Sequence, residues 1–238
     1  MLSRIRNAQS INKTSIDLII FDCDGVLVDS ELLSIDALHH LIIAQGGALS
    51  KSQVIQQFQG RSMKSAQEEL FATQGVELTQ ASIDDMNMHL FTRFKAELQV
   101  VTGVEAFIES LTIPCCVASS SHPERIDVSL EATQLKAYFT GNVFSYTMVK
   151  YGKPAPDLFL FAAAKMKSTA DRTLVIEDSP AGIEAARRAD MLCIGLTAGS
   201  HAKNPSHKQK LIDAGADWVV DSYEEVSDII TSIVCKRI

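Results

Sequence analysis

The 238-residue chain has no apolar run approaching the roughly 18 residues that a membrane span requires. Its first sixteen residues hold Arg4, Arg6 and Lys13 but no apolar stretch of the kind found in export signals, so they read as a short N-terminal tail on a cytoplasmic protein. Positive charge is scarce as well. A net charge of -7 and an isoelectric point near 5.4 argue against general affinity for nucleic acid or anionic membranes, so an anionic ligand must meet a small local cluster of cations. The five cysteines, Cys23, Cys115, Cys116, Cys193 and Cys235, are odd in number and show neither metal-ligand nor dithiol spacing. They argue against a disulfide framework and read as buried free thiols in a reducing compartment. Internal repeats and low-complexity tracts are also missing. What is left is an ordinary globular chain, long enough for one large domain or for a core with a small second one.

Short apolar runs recur at 18–21, 115–118, 142–145, 173–176, 192–196 and 218–220, each too short for an independent helix. Helical patterns at 124–133, 157–166, 181–189 and 224–234 lie between several of them. Such alternation implies crossover connections, and hence an α/β fold with a Rossmann-like parallel sheet covered by helices on both faces. In sheets of this kind ligands sit at the carboxyl ends of the strands.

From 31 to 98 the strand signal disappears. Helical patterns span 32–45, follow Ser50, and continue at 64–73 and 83–98; Gly46-Gly47 stops the first, and Ser50 with Gln53 has capping-box spacing. The pattern predicts a catalytic core of residues 1–30 and 100–238 and a helical cap, 31–99, inserted after the first strand. By contrast 197–206, rich in turn formers, reads as an exposed loop without a functional signal of its own.

Four segments carry chemistry. Leu18-Ile19-Ile20-Phe21 ends in Asp22-Cys23-Asp24-Gly25, which sends two carboxylates to one side above a glycine turn. Such a pair holds a hard divalent cation or divides attack from proton transfer; a solvated turn is the plain alternative. Val117-Ala118-Ser119-Ser120-Ser121 puts hydroxyls after a strand, suited to a phosphate oxygen or simply to capping a helix. Lys153-Pro154-Ala155-Pro156-Asp157 presents one lysine on a stiff turn, and Glu177-Asp178-Ser179-Pro180-Ala181-Gly182 ends a further strand in two acids. Carboxylates, a hydroxyl and a lysine converging on one sheet edge meet the needs of phosphoryl transfer.

In this order and spacing the four segments resemble the motifs of the haloacid dehalogenase superfamily, most closely its beta-phosphoglucomutase-like phosphatases with a helical cap, over about 16–234 of the chain. The resemblance implies that Asp22 is the nucleophile that becomes an aspartyl-phosphate and that Asp24 is the general acid and base. It implies Mg2+ held by Asp22, the Asp24 backbone carbonyl and Asp178, with Glu177 a direct or water-mediated ligand. Ser119, Ser120 and Lys153 would bind the transferring phosphoryl group. Recognition of the rest of the substrate, a small sugar or sugar-acid phosphate, would fall to Arg61 and Lys64 in the cap and to His122 at the rim. A monomer is expected.

Two other readings are weighed against this phosphatase. A phosphosugar mutase shares the chemistry up to the aspartyl-phosphate, but Ser34 stands where that branch carries a hinge histidine and Met63 where it carries a phosphate-gripping arginine. A non-catalytic switch phosphorylated on Asp22 would also use acids, Mg2+ and a lysine, yet it has no need of Asp24 or of a long insertion.

Overall fold

The computed structural model of the protein describes residues 15–58 and 63–235, so the N-terminal tail and Arg61 lie outside the described residues. The chain divides into two compact units: a helical one over Ser30–Leu98, and a core formed by the segments flanking it. The helical unit contains α1 (Glu31–Ala44), α2 (Lys51–Phe58), α3 (Met63–Gln74) and α4 (Gln80–Glu97). The core contains α5 (Val104–Ser110), α6 (Pro123–Ala132), α7 (Asp157–Lys165), α8 (Pro180–Arg188), α9 (Pro205–Asp213) and α10 (Tyr223–Cys235). Among the described residues no helix is long and apolar enough to cross a membrane.

Strands β1 (Leu18–Phe21), β2 (Cys115–Ser119), β3 (Val143–Ser145), β4 (Thr173–Glu177), β5 (Leu192–Leu196) and β6 (Trp218–Val220) form a sheet in the order β3-β2-β1-β4-β5-β6. Every pairing is parallel. Buried on both faces, such strands must be apolar throughout, which is why they appear in the sequence as continuous runs and not as alternation. Leu18, Ile20, Cys116, Ala118, Val175 and Cys193 point to one face and join Leu158, Phe159, Ile183, Ala186 and Leu211 of α7, α8 and α9. Phe21 points to the other, edge-on to Phe107 of α5 at 6.0 Å and to Phe139 at 5.9 Å, while Phe107 packs on Tyr223 of α10. The strand order runs outward from β1 through β2 to β3 and from β4 through β5 to β6, so the switch point lies between β1 and β4. Ligands bind in the crevice at such a point.

Two helices stand where the sequence reading placed none. Helix α5 is seven residues long, too short for its apolar spacing (Val104, Phe107, Ile108) to register as a period. The exposed loop expected at 197–206 is corrected in part: Ser200 and 203–206 are exposed, but Thr197, Gly199 and Ala202 are buried, Ser200–Ala202 forms a 3-10 turn, and Asn204 caps α9 by accepting from the Ser206 amide at 3.0 Å. Its turn formers serve a tight packed path, since the Thr197 amide and hydroxyl both donate to the Val220 carbonyl, at 2.8 and 3.0 Å.

In the helical unit the capping box forms, the Ser50 amide donating to Gln53 Oε1 at 2.8 Å. One carboxylate links three helices: Asp36 of α1 accepts from Lys51 of α2 at 2.6 Å and from Arg93 of α4 at 2.7 Å. The Lys51 hydrogen bond, reinforced by Arg93 against some desolvation, holds the Asp36 carboxyl below its ordinary value. A carboxyl depressed in this way contributes stability above its unfolded pKa of about 3.9 and loses it as the pH falls through the folded value. Asp36→Asn is therefore expected to lower the unit's thermal stability at neutral pH, with the gap to wild type narrowing below about pH 4. Thermal unfolding followed across that range checks it; a gap independent of pH would show that the ion pairs contribute nothing.

Candidate active site

Strand β1 ends at Phe21, but the Asp22 amide still donates to the Ile176 carbonyl of β4 at 3.0 Å, so the carboxyl ends of the two strands stay together at the switch point. The chain then turns sharply, with Gly25 at a φ of 76° and its amide donating to the Val28 carbonyl at 2.8 Å. A Cβ on Gly25 would stand 1.9 Å from Asp178 Oδ2. Glycine here gives the positive φ and also leaves the room that the Asp178 carboxylate occupies.

Lys153 reaches into this crevice and is 3% exposed. Its ammonium donates to Asp22 Oδ1 at 2.5 Å, to Glu177 Oε1 at 2.8 Å and to the Ala118 carbonyl at 3.0 Å, which accounts for all three donors. Burial works against the charged form, but the carboxylates of Asp22 and Glu177 outweigh it and hold the lysine protonated. The other oxygen of Glu177 accepts from the amide and hydroxyl of Ser179, at 2.7 and 2.9 Å. Gly182 is what makes room for this carboxylate, since a Cβ there would lie 1.7 Å from Glu177 Oε1.

Asp24 faces a different set of partners. Its carboxylate accepts from the Ser121 hydroxyl at 2.6 Å and from Arg125 of α6 at 2.7 Å. Ser119 is buried, and its hydroxyl oxygen accepts from the Ser121 amide at 3.1 Å. Ser120 and His122 are exposed; His122 is the residue before α6, and its side chain makes no capping bond. Lys64 is exposed on α3. The structure thus brings Asp22, Lys153 and Glu177 into direct contact and anchors Asp24 to the Ser119 segment.

Asp178 Oδ2 lies 2.8 Å from His201 Nε2, and the Asp178 carbonyl 2.7 Å from His207 Nε2. Sequence reasoning missed Ser121, Arg125 and both histidines. Ser121 and Arg125 are four apart around a helix start, a spacing that places them on one side; nothing in the spacing of His201 and His207 marks them out.

Asp22 and Glu177 share one ammonium, and Asp178 adds a third carboxylate near enough to act on Asp22. Burial lifts the Asp22 carboxyl well above the usual carboxylate range against the pull of Lys153, and Glu177 and Asp178 add to the rise. A hard cation with oxygen ligands would relieve that excess of negative charge. Among the described residues no group of three or more His, Cys, Asp or Glu side chains forms a ready metal cage. A donor set of few carboxylates suits Mg2+, which keeps several of its waters. Cys23, between the two aspartates, is buried, and desolvation followed by the flanking aspartates pushes its thiol well above its ordinary value, so it is inert.

A family model described as haloacid dehalogenase-like hydrolase matches residues 19–196. A 6-phosphogluconate phosphatase of Escherichia coli (strain K12) is 28% identical over 193 residues, covering 81% of this chain and 87% of that protein. A phosphorylated carbohydrates phosphatase of Thermotoga maritima is 25% identical over 222 residues, covering 92% of this chain and 100% of that protein. Among solved structures, a conserved haloacid dehalogenase-like protein of unknown function from Agrobacterium tumefaciens matches with a TM-score of 0.80 at 34% identity, covering 92% of this chain and 99% of that one.

Removing Lys153 would leave two buried carboxylates without their cation. Lys153→Ala is expected to lower the unfolding free energy of the metal-free protein by about 3–5 kcal/mol, and Lys153→Met combined with Glu177→Gln to recover part of it. Urea unfolding measures both; a Lys153→Ala protein as stable as wild type would show that the ammonium does not hold the site together.

Proposed function

We propose that this chain, which belongs to the haloacid dehalogenase-like hydrolase family, is a Mg2+-dependent phosphatase that hydrolyses a small sugar or sugar-acid phosphate. The observation that carries the reading is the meeting of Asp22, Glu177 and Lys153 at the switch point, a nucleophile-grade carboxylate beside a fixed positive charge. The relatives support the substrate class, since they are named for 6-phosphogluconate and for phosphorylated carbohydrates.

In this reading Asp22 attacks phosphorus, its oxygen forming the new P–O bond as the ester P–O bond breaks. Asp24 gives its proton to the leaving alkoxide, then takes one from the water that attacks the aspartyl-phosphate; inorganic phosphate leaves and Asp22 is restored. Ser121 and Arg125 fix where that proton carrier waits, Arg125 balancing the charge of its carboxylate form. Lys153 and the Ser119 hydroxyl hold the equatorial phosphoryl oxygens. Asp22, Asp178 and the Asp24 carbonyl would hold Mg2+, which when bound neutralises phosphate charge that otherwise repels the nucleophile. Glu177, with one oxygen on Lys153 and the other on Ser179, serves chiefly to place the lysine.

The helical unit is assigned the role of a cap that recognises the substrate beyond its phosphate, on the ground that it is inserted directly after the Asp22 segment. Its candidates are Lys64, exposed on α3, and Arg61, which lies outside the described residues. The mutase alternative gains nothing from the structure: the Ser34 hydroxyl, at the position where a mutase has its histidine, donates to the Ser30 carbonyl at 2.8 Å. The free thiols Cys23, Cys115, Cys116 and Cys193 support a reducing, cytoplasmic setting.

Phosphate release from a sugar phosphate, a sugar-acid phosphate and an aryl phosphate is expected to require Mg2+ and to disappear in Asp22→Asn. Full activity in excess chelator, or in that variant, would overturn the mechanism. Asp24→Ala should lose about 100-fold or more, and more on poor leaving groups than on the aryl ester. Replacing Arg61 or Lys64 with Ala should reorder kcat/KM among the sugar substrates and leave the aryl ester nearly unchanged. Equal losses on all three would remove the cap residues from recognition.

A further inference from the structure

The segment between β5 and α9 folds onto the turn that follows Asp24. The Ser200 amide and hydroxyl donate to Asp29 Oδ1, at 3.1 and 2.9 Å. Gly199 approaches Gly25 so closely that a Cβ on it would lie 3.1 Å from the Gly25 carbonyl oxygen and 2.8 Å from the His201 ring. A Cβ on Gly25 would in turn meet His201 Cε1 at 2.7 Å. The His201 side chain, 2% exposed, is therefore wedged between two glycines and Asp178, with its Nε2 2.8 Å from Asp178 Oδ2. His207, in the first turn of α9, directs its Nε2 to the Asp178 backbone carbonyl at 2.7 Å, and its ring meets that of His201 edge-on at 5.4 Å and 84°. A carboxylate and a carbonyl only accept hydrogen bonds, so in both rings Nε2 carries the hydrogen.

We propose that His201 and His207 are positioning residues for the cation-holding carboxylate: His201 occupies Asp178 Oδ2 and leaves Oδ1 as the oxygen that would hold the cation, while His207 fixes the backbone from which that carboxylate springs. The proposal rests on the reading of Asp178 as a Mg2+ ligand. Bonds of this kind lock the rotamer of a ligand before the ion arrives, so the ion need not order the side chain as it binds. Hydroxyls or water at the same place would accept as well as donate and would not select one orientation. The imidazole, held edge-on by a second ring and closed in by two glycines, offers one donor in one direction. Loop anchoring alone would need only the Ser200 contacts with Asp29, which do not involve Asp178.

Calorimetric titration of Mg2+ into metal-free protein separates these roles. His201→Ala is expected to weaken Mg2+ binding about 10- to 100-fold, whereas His201→Gln, whose amide nitrogen can reach the same place, should stay within about threefold of wild type. The Mg2+ concentration giving half-maximal hydrolysis should move in parallel, with kcat at saturating Mg2+ changed far less. Ser200→Ala, which loosens the segment without touching Asp178, should leave the affinity unchanged. Should His201→Ala fail to fold, His207→Ala supplies the test, with an expected weakening of about 5-fold or more. Unaltered Mg2+ affinity in the folded histidine variant, or an equal loss in Ser200→Ala, would overturn the proposal. Asp178→Asn is the control for the underlying reading: if that variant binds Mg2+ like wild type, the assignment of the metal ligand fails, whatever the histidines do.

Discussion

A single buried ammonium determines how the chemistry-bearing ends of this sheet come together. Lys153 places its three donors on the carboxylate that follows β1, on a carbonyl of β2 and on the last residue of β4, and it lies 4.7 Å from the centre of the Phe159 ring. Without it, Asp22 and Glu177 would face each other at the ends of adjacent apolar strands, a repulsion that the low-dielectric interior magnifies. Buried ion pairs seldom stabilise a fold beyond what apolar residues of equal volume would give. Their effect here is to keep two buried carboxylates and one positive charge together at the sheet edge.

Around that centre the site divides into two sides with different tasks. On the β2 side, the Ser119 segment and the start of α6 hold Asp24 through Ser121 and Arg125. On the β5 side, the segment entering α9 holds Asp178 through His201 and His207. Asp24 and Asp178 thus each have their own partners, and neither takes one of the three acceptors of Lys153. The glycines complete the arrangement by what they lack: Gly25 and Gly182 lie where any side chain would collide with Asp178 and Glu177.

The same geometry accounts for the excess negative charge. Two carboxylates share one lysine with a third, Asp178, close by, and the Asp22 carboxyl is lifted by burial and by its acidic neighbours. An excess of carboxylates of this kind is the environment in which a small hard cation with oxygen ligands would relieve the repulsion.

Much of this was legible in the chain before any fold was known. The six strands were visible because a parallel sheet covered on both faces demands uninterrupted apolar runs, and the parallel six-stranded core follows from their alternation with helices. Asp22, Asp24, Ser119, Lys153, Glu177 and Asp178 could be named because each stands at the end of a strand or on the turn beside one, where local spacing alone marks a residue as poised at the sheet edge. What local spacing cannot encode is who bonds to whom. Ser121 and Arg125 meet Asp24 across 97 and 101 positions of chain, and His207 meets Asp178 across 29, with the stretch around His201 resembling an ordinary surface loop. Those partnerships depend on a parallel sheet bringing distant strand ends side by side, so the sequence by itself determined which polar groups stand at the sheet edge, and only the tertiary structure decided which neighbours hold them in place.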